Sequence, residues 1–174
     1  MITIRNLEAG EFEFLTDMFY ESIHIPQNKP SKEQLLNLPD LKKYHDGWGR
    51  KGDRALIAIN EVNQSVGAVW YRLFDERNKG YGYVDDSTPE LGIAVSKEVR
   101  GLGIGTLLMS KIIQLALEDG YMSISLSVDP DNSDAVHIYN KMGFKKCGVS
   151  GTSIIMVYNF SIDALGYGYH TLSP

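Results

Sequence analysis

The sequence predicts an α/β (α+β) chain with a mixed sheet flanked by helices. Three observations point there. Apolar runs with strand and helix periodicities alternate from residue 55 onward, a glycine-rich turn joins one strand to a long amphipathic segment, and a later strand runs through a polar turn into a short helix. The chain has 174 residues, 43% hydrophobic and 22% charged, which is ordinary globular composition and single-domain size. The organisation expected is one domain over 1–174, with 161–174 as a C-terminal tail.

Each element has its own justification. Ile2–Arg5 alternates and reads as a short strand. Ala9–Ser22 reads as a helix, with Phe12, Leu15, Phe19 and Ile23 at helical spacing. Pro26 and Pro30 end it, and Ser31-Lys32-Glu33-Gln34 has the make-up of an N-cap and first helical turn. The stretch 38–53, rich in Pro, Gly and charge, is expected to be irregular or partly helical. Ala55–Ile59 and Val66–Phe74 read as strands across a polar turn. A Gly/Asn/Asp/Tyr loop over 78–88 then leads to the strand Glu90–Val95. Gly103–Asp119 is helical, with Leu107, Leu108, Ile112, Leu115 and Ala116 on one face. Gly120 suits its C-terminal end. Tyr121–Val128 alternates as a strand, with Met122, Ile124, Leu126 and Val128 on one side. Ser133–Met142 is a helix stopped by Gly143, with Ser133 or Asp134 as its cap and Ile138 and Met142 facing the core. Ile154–Phe160 is the last strand. Gly-Tyr-Gly-Tyr occurs at 80–83 and again at 166–169; with unrelated surroundings, the pair reads as coincidence.

Composition excludes several classes. A net charge of −5 and a pI near 5.3 argue against a broad grip on nucleic acid phosphates. There is no apolar run long enough to span a membrane and no signal-peptide layout at Met1–Arg5. The single cysteine, Cys147, fits a reducing, cytoplasmic setting and stands in no context that makes a covalent acyl carrier. His24, His45, His137 and His170 share no metal-ligand spacing, so no metal is expected.

Two motifs carry the chemistry. Arg100-Gly101-Leu102-Gly103-Ile104-Gly105-Thr106 is a glycine-rich strand-to-helix turn, which offers backbone amides and a positive helix end to a phosphate. The dinucleotide fingerprint fails, because the third glycine falls at 105 while Thr106 holds its place. A P-loop fails for want of a lysine before Thr106. About 30 residues on come Asn132-Ser133-Asp134-Ala135, Tyr139 and Gly143-Phe144.

In these residues the chain resembles the GNAT N-acetyltransferases. Arg100, Gly103 and Gly105 fill that family's Arg/Gln-x-x-Gly-x-Gly/Ala signature; Asn132, Ala135, Tyr139, Gly143 and Phe144 fill the signature that follows it. The resemblance covers roughly residues 55–160. It implies a mixed, mostly antiparallel sheet of six to seven strands with about four helices, acetyl-CoA as acetyl donor, and direct transfer to a primary amine of a small molecule or peptide. Arg100 to Thr106 (Gly101, Leu102, Gly103, Ile104 and Gly105 between them) would hold the diphosphate. The pantetheine arm would lie along the strand at Ile93, Ala94 and Val95, with Asn132, Ala135 and Tyr139 beside it. A main-chain amide near Ala94 would steady the oxyanion.

The resemblance further assigns Tyr139 as proton donor to the departing thiolate and Glu90 as the base that deprotonates the amine. Asp85 and Asp86 either attract a cationic acceptor or, as such pairs more often do, form a solvated turn; Trp48, Trp70, Tyr81 and Tyr83 are candidate walls for the acceptor, with core packing the default for Trp70. Residues 23–53 cover the acceptor side in the family. Homodimers are common there, and the tail, with Leu165, Tyr167 and Tyr169, could contribute to one. The rivals are a non-catalytic acyl-CoA-binding module of the same fold and, on weaker grounds, half of a nucleotide-binding oxidoreductase.

Overall fold

The structure, a computed structural model, describes residues 1–161. The chain runs β1 (Thr3–Asn6), α1 (Phe12–Ser22), α2 (Lys32–Leu36), α3 (Pro39–Lys42), β2 (Arg54–Ile59), β3 (Ser65–Arg72), β4 (Glu90–Val95), a 3-10 turn (Lys97–Val99), α4 (Ile104–Glu118), β5 (Ser123–Val128), α5 (Ser133–Met142), β6 (Lys145–Ser150) and β7 (Ser153–Asn159). The seven strands form one sheet in the order β1-β2-β3-β4-β5-β7-β6.

Both faces of that sheet are covered, so β2 and β3 are apolar nearly throughout, whereas β5 alternates serine with Ile124, Leu126 and Val128. On β2, Leu56 and Ala58 face one layer while Ala55, Ile57 and Ile59 face the other. The first layer is built by Leu108, Met109, Ile112 and Ala116 of α4 against Val69, Tyr71, Leu91, Ile124, Leu126 and Phe144; α5 packs against it through Ala135, Val136, Tyr139 and Met142. The second is built by Leu15, Met18 and Phe19 of α1 against Ala68, Trp70 and Ala94. Each large side chain so buried contributes roughly 1.5–3 kcal/mol.

Neighbouring strands are antiparallel except β4 and β5, which run parallel and meet at one residue pair, Glu90 with Ser125. On its other edge β4 pairs with β3 at six positions. Beyond Glu90 the two parallel strands diverge, and the site lies in that gap.

Several expectations change. The sheet has seven strands because β6, unforeseen, pairs with β7 at the sheet's edge. Among the described residues there are five helices, in keeping with about four, α2 and α3 being single turns of five and four residues. α1 begins at Phe12, which is itself exposed, after Gly10 in a left-handed conformation. β3 stops at Arg72, and β5 begins after an exposed Met122. On α4, Met109 occupies the core in place of the exposed Leu107, and Leu115 is only half-buried. Ile138 on α5 is exposed rather than core. The cap position of α5 is Asn132, so Ser133 and Asp134 are its first two residues. The tail residues Leu165, Tyr167 and Tyr169, and the second Gly-Tyr-Gly-Tyr, lie outside the described residues.

Candidate active site

The divergence of β4 from β5 opens a cleft of about 410 Å³, which Glu90, Ile93, Ser127, Asn132 and Tyr139 help to line. The Ser125 amide donates to the Pro89 carbonyl at 2.9 Å, and on the other side the Ser96 amide donates to the Val66 carbonyl at 2.8 Å. Amide and carbonyl of one strand residue point to the same edge, and the edge alternates along the strand. Leu91, Ile93 and Val95 therefore direct their backbone groups toward β5 and the gap, while Gly92 and Ala94 direct theirs toward β3. Of the strand residues expected to meet the arm, Ile93 and Val95 have amides on the open edge. Ala94 does not: its amide faces β3 and its side chain lies in the core under α1.

Glu90 is 4% exposed. Its Oε2 accepts a 2.6 Å hydrogen bond from the Tyr44 hydroxyl and its Oε1 a 2.8 Å bond from the Gly82 amide. Burial pushes its carboxyl up to about 7; the bonds from Tyr44 and Gly82 and the charge of Lys43 act in the opposite direction but do not cancel it. The loop above it can come this close only because it is glycine-built. A Cβ at residue 80 would sit 2.3 Å from Glu90 Oε1, and one at residue 82 would sit 2.7 Å from the Leu126 carbonyl carbon. The first Gly-Tyr-Gly-Tyr is thus part of the carboxylate's housing. Neither this loop's role nor Tyr44 was legible beforehand, since Tyr44 stands 46 residues before Glu90.

Tyr139 reaches the same cleft from the opposite face of the sheet, packing with the α4 layer while Glu90 sits beside Tyr44 in the α1 layer. Its ring is tilted against Phe144 at 6.0 Å, and burial pushes its phenol up to about 12. Asn132 makes no side-chain cap bond, which leaves its amide group to the cleft. Ala135 is half-buried against the core of the α4 layer.

The glycine turn sits past the far end of β4. Gly101 and Gly103 have φ of +80° and +82°, a region other residues rarely adopt, and a Cβ on either would point into open space. No side chain caps α4, so its first-turn amides at Ile104, Gly105 and Thr106 are not spent on one. Leu102 is exposed, as is Thr106, while Ile104 anchors the turn in the core. Arg100 braces the turn: its Nε donates to the Val95 carbonyl at 3.1 Å, and its Nη2 lies 3.9 Å from Glu21 of α1. Lys29 is near enough that Lys97 and Arg100 reinforce the lowering of its ammonium by burial, which Glu21 opposes. Three cations thus gather by the turn. Lys29 and Lys97 carried no motif signal. An open, glycine-lined helix start with nearby cations fits a diphosphate.

The remaining candidates separate. Trp70 is core, its indole filling the space a Cβ on Gly92 would take, and it also lines the cleft with Tyr81. Trp48 stacks over the Arg72 guanidinium at 5.1 Å. Asp85 accepts from Ser87, and Asp86 accepts a 2.5 Å bond from Tyr83, so this acidic pair is engaged in its own turn. Cys147 is exposed with its thiol pushed up by burial of the sulfur, the reverse of an activated thiolate. Among the described residues no group of His, Cys, Asp and Glu could hold a metal ion, and no helix is long and apolar enough to cross a membrane.

The cleft between β4 and β5 thus has Glu90 and Tyr139 on its walls, with the glycine turn at the start of α4 past the far end of β4. Residues 13–144 match the acetyltransferase (GNAT) family, and the chain belongs to that family. It is 40% identical over 155 residues to the streptothricin acetyltransferase of Streptomyces lavendulae, covering 82% of this chain and 77% of that one. It is 30% identical over 127 residues to the mycothiol acetyltransferase of Paenarthrobacter aurescens; the match takes in 71% of this chain but spans only 35% of that protein's length. The fold is that of the PaiA N-acetyltransferase of Thermoplasma acidophilum, solved in complex with coenzyme A, with a TM-score of 0.64 at 21% identity over 92% of this chain and 99% of that one.

Proposed function

We propose that this chain acts as one catalytic domain, an acetyl-CoA-dependent N-acetyltransferase acting directly on a primary amine. The observation that supports it most is the convergence of Glu90 and Tyr139 on one cleft from opposite sheet faces. The diphosphate would lie on the amides of Leu102–Thr106, helped by Arg100, Lys29 and Lys97. The pantetheine arm would take the free edge of β4 at Ile93 and Val95, between that strand and Asn132.

Acetyl-CoA supplies an activated acyl group as a thioester. Glu90 takes a proton from the incoming ammonium, because an alkylamine is almost wholly protonated at neutral pH. The freed nitrogen bonds to the carbonyl carbon, and an edge amide of β4, at Ile93 or Val95, would stabilise the oxyanion. When the carbon–sulfur bond breaks, Tyr139 gives its proton to the thiolate, and the second proton shed by the acylated nitrogen restores the phenol. A phenol pushed up to about 12 stays protonated until that moment.

The acceptor class is a small-molecule or peptide amine. Streptothricin belongs in the first panel, since a relative at 40% identity is named for it. The test is thiol release from acetyl-CoA across amines, with thermal melting in coenzyme A alongside. Ligand at 100 times its Kd should stabilise the fold by about 2.7 kcal/mol. Binding without release on any amine would favour the non-catalytic module instead.

A further inference from the structure

We propose that Tyr44 is a positioning residue for Glu90, holding that carboxylate in its working orientation from a segment no motif touches. The inference rests on Glu90 being the base. Tyr44 is itself buried, its ring stacked on Phe19 at 5.4 Å and set edge-on to Phe74 at 4.9 Å. The Tyr81 amide donates to the Tyr44 oxygen at 2.6 Å. An amide can only donate, so the phenol oxygen accepts there and its hydrogen is left to point at Glu90 Oε2. The Gly82 amide occupies Oε1 in the same way. Each carboxylate oxygen therefore receives one fixed donor, and a proton from substrate must enter on a lone pair facing the cleft.

This arrangement works in one direction only. Tyr44 does not relay the proton onward, because the group that donates to its oxygen is the Tyr81 backbone amide, which does not give up its hydrogen. Its effect is to fix the carboxylate and favour the ionised form. The other charged or polar groups around Glu90 are otherwise engaged. From β3, Arg72 is held by Asp53 and by the Lys43 and Asp46 carbonyls. From β5, Ser125 donates to the Gly82 carbonyl. Lys43 favours the carboxylate at a distance while its Nζ donates to the Lys79 carbonyl.

The test compares the wild type with Tyr44→Phe, which keeps the ring and its stacking, and with a protein carrying 3-fluorotyrosine at 44, a stronger donor. Two readouts are taken: the acid limb of the pH–rate profile, and the carboxyl 13C titration of Glu90, assigned by its disappearance in Glu90→Gln. In Tyr44→Phe both midpoints should move upward, so that activity falls about tenfold near pH 6.5 and recovers toward wild type by pH 9, a tenfold effect matching one pH unit. Fluorination should move both downward. A loss uniform across pH, with the 13C midpoint unmoved in both proteins, overturns the proposal. Full turnover by Glu90→Gln would instead overturn the base role, while the 13C titration still reports whether Tyr44 holds the carboxylate.

Discussion

Arg72 and Asp53 meet through two parallel hydrogen bonds, Nε to Oδ1 at 2.9 Å and Nη2 to Oδ2 at 2.8 Å, with side chains only 1% and 2% exposed. The remaining guanidinium nitrogen donates to the Lys43 and Asp46 carbonyls, and Asp53 Oδ2 also accepts from the Gly49 and Arg50 amides. Arg72 is the cross-strand partner of Glu90. The ion pair therefore ties the segment 43–53, which carries Tyr44, to the strand beside Glu90. Cutting one partner leaves a buried charge alone. Arg72→Leu should cost about 3–5 kcal/mol in a urea melt, and adding Asp53→Leu should recover part of that loss rather than double it.

As the proposed base, Glu90 would set the pH response. Its carboxyl lies at about 7 in the fold against an ordinary 4.5, so the base form grows in as pH rises through 7. The acid limb of turnover should have its midpoint there, and Glu90→Gln should lower kcat about 10²-fold or more with coenzyme A affinity unchanged. Rate profiles with isothermal titration of coenzyme A check both.

The same group predicts a stability slope of definite sign. Between pH 4.5 and 7 the folded protein keeps a proton on Glu90 that the unfolded chain has lost, so this group's contribution falls as pH rises through that window and levels off above 7. The full loss is roughly 3 kcal/mol at 1.36 kcal/mol per pH unit. In urea melts, Glu90→Gln should therefore compare more favourably with wild type at pH 8 than at pH 5.

Tyr139→Phe should lower kcat about 10²-fold while leaving stability within about 1 kcal/mol. The tilted contact with Phe144 needs only the ring, and the hydroxyl lines the cleft without a hydrogen-bond partner among the described residues. Saturating kinetics and a thermal melt separate the two effects. Retained turnover would remove Tyr139 from the chemistry.

Gly82→Ala should cost about 1–3 kcal/mol, because the new methyl meets the Leu126 and Ser127 backbone at 2.7 and 2.9 Å, atoms that cannot swing aside. Denaturant midpoints read the cost.

What could be foreseen follows from how local each signal is. β4, α4 and α5 with the turn before each were legible because apolar period, glycine stop and motif spacing all fall within a few residues. β6 was not: Lys145-Lys146-Cys147-Gly148-Val149-Ser150 is a half-exposed edge strand, paired on one side, so nothing selects an alternating pattern. Leu107 and Met109 are both plausible on a helix face, and only the tilt of α4 on the sheet chooses between them. At the site, Glu90 and Tyr139 were reached through resemblance. Tyr44, Asp53 and Arg72 were not, because their meaning lies in contacts between segments distant in sequence.

The single Glu90–Ser125 rung has a mechanical meaning. β1 to β4 form one continuous ribbon and β5, β7 and β6 another, and the two are stitched at one point, like a zip stopped near its end. An extended arm laid along Ile93 and Val95 would supply the teeth that the polypeptide leaves out. With the arm in place the two ribbons would read as one seamless sheet, laid over a core that α4 already carries across both of them.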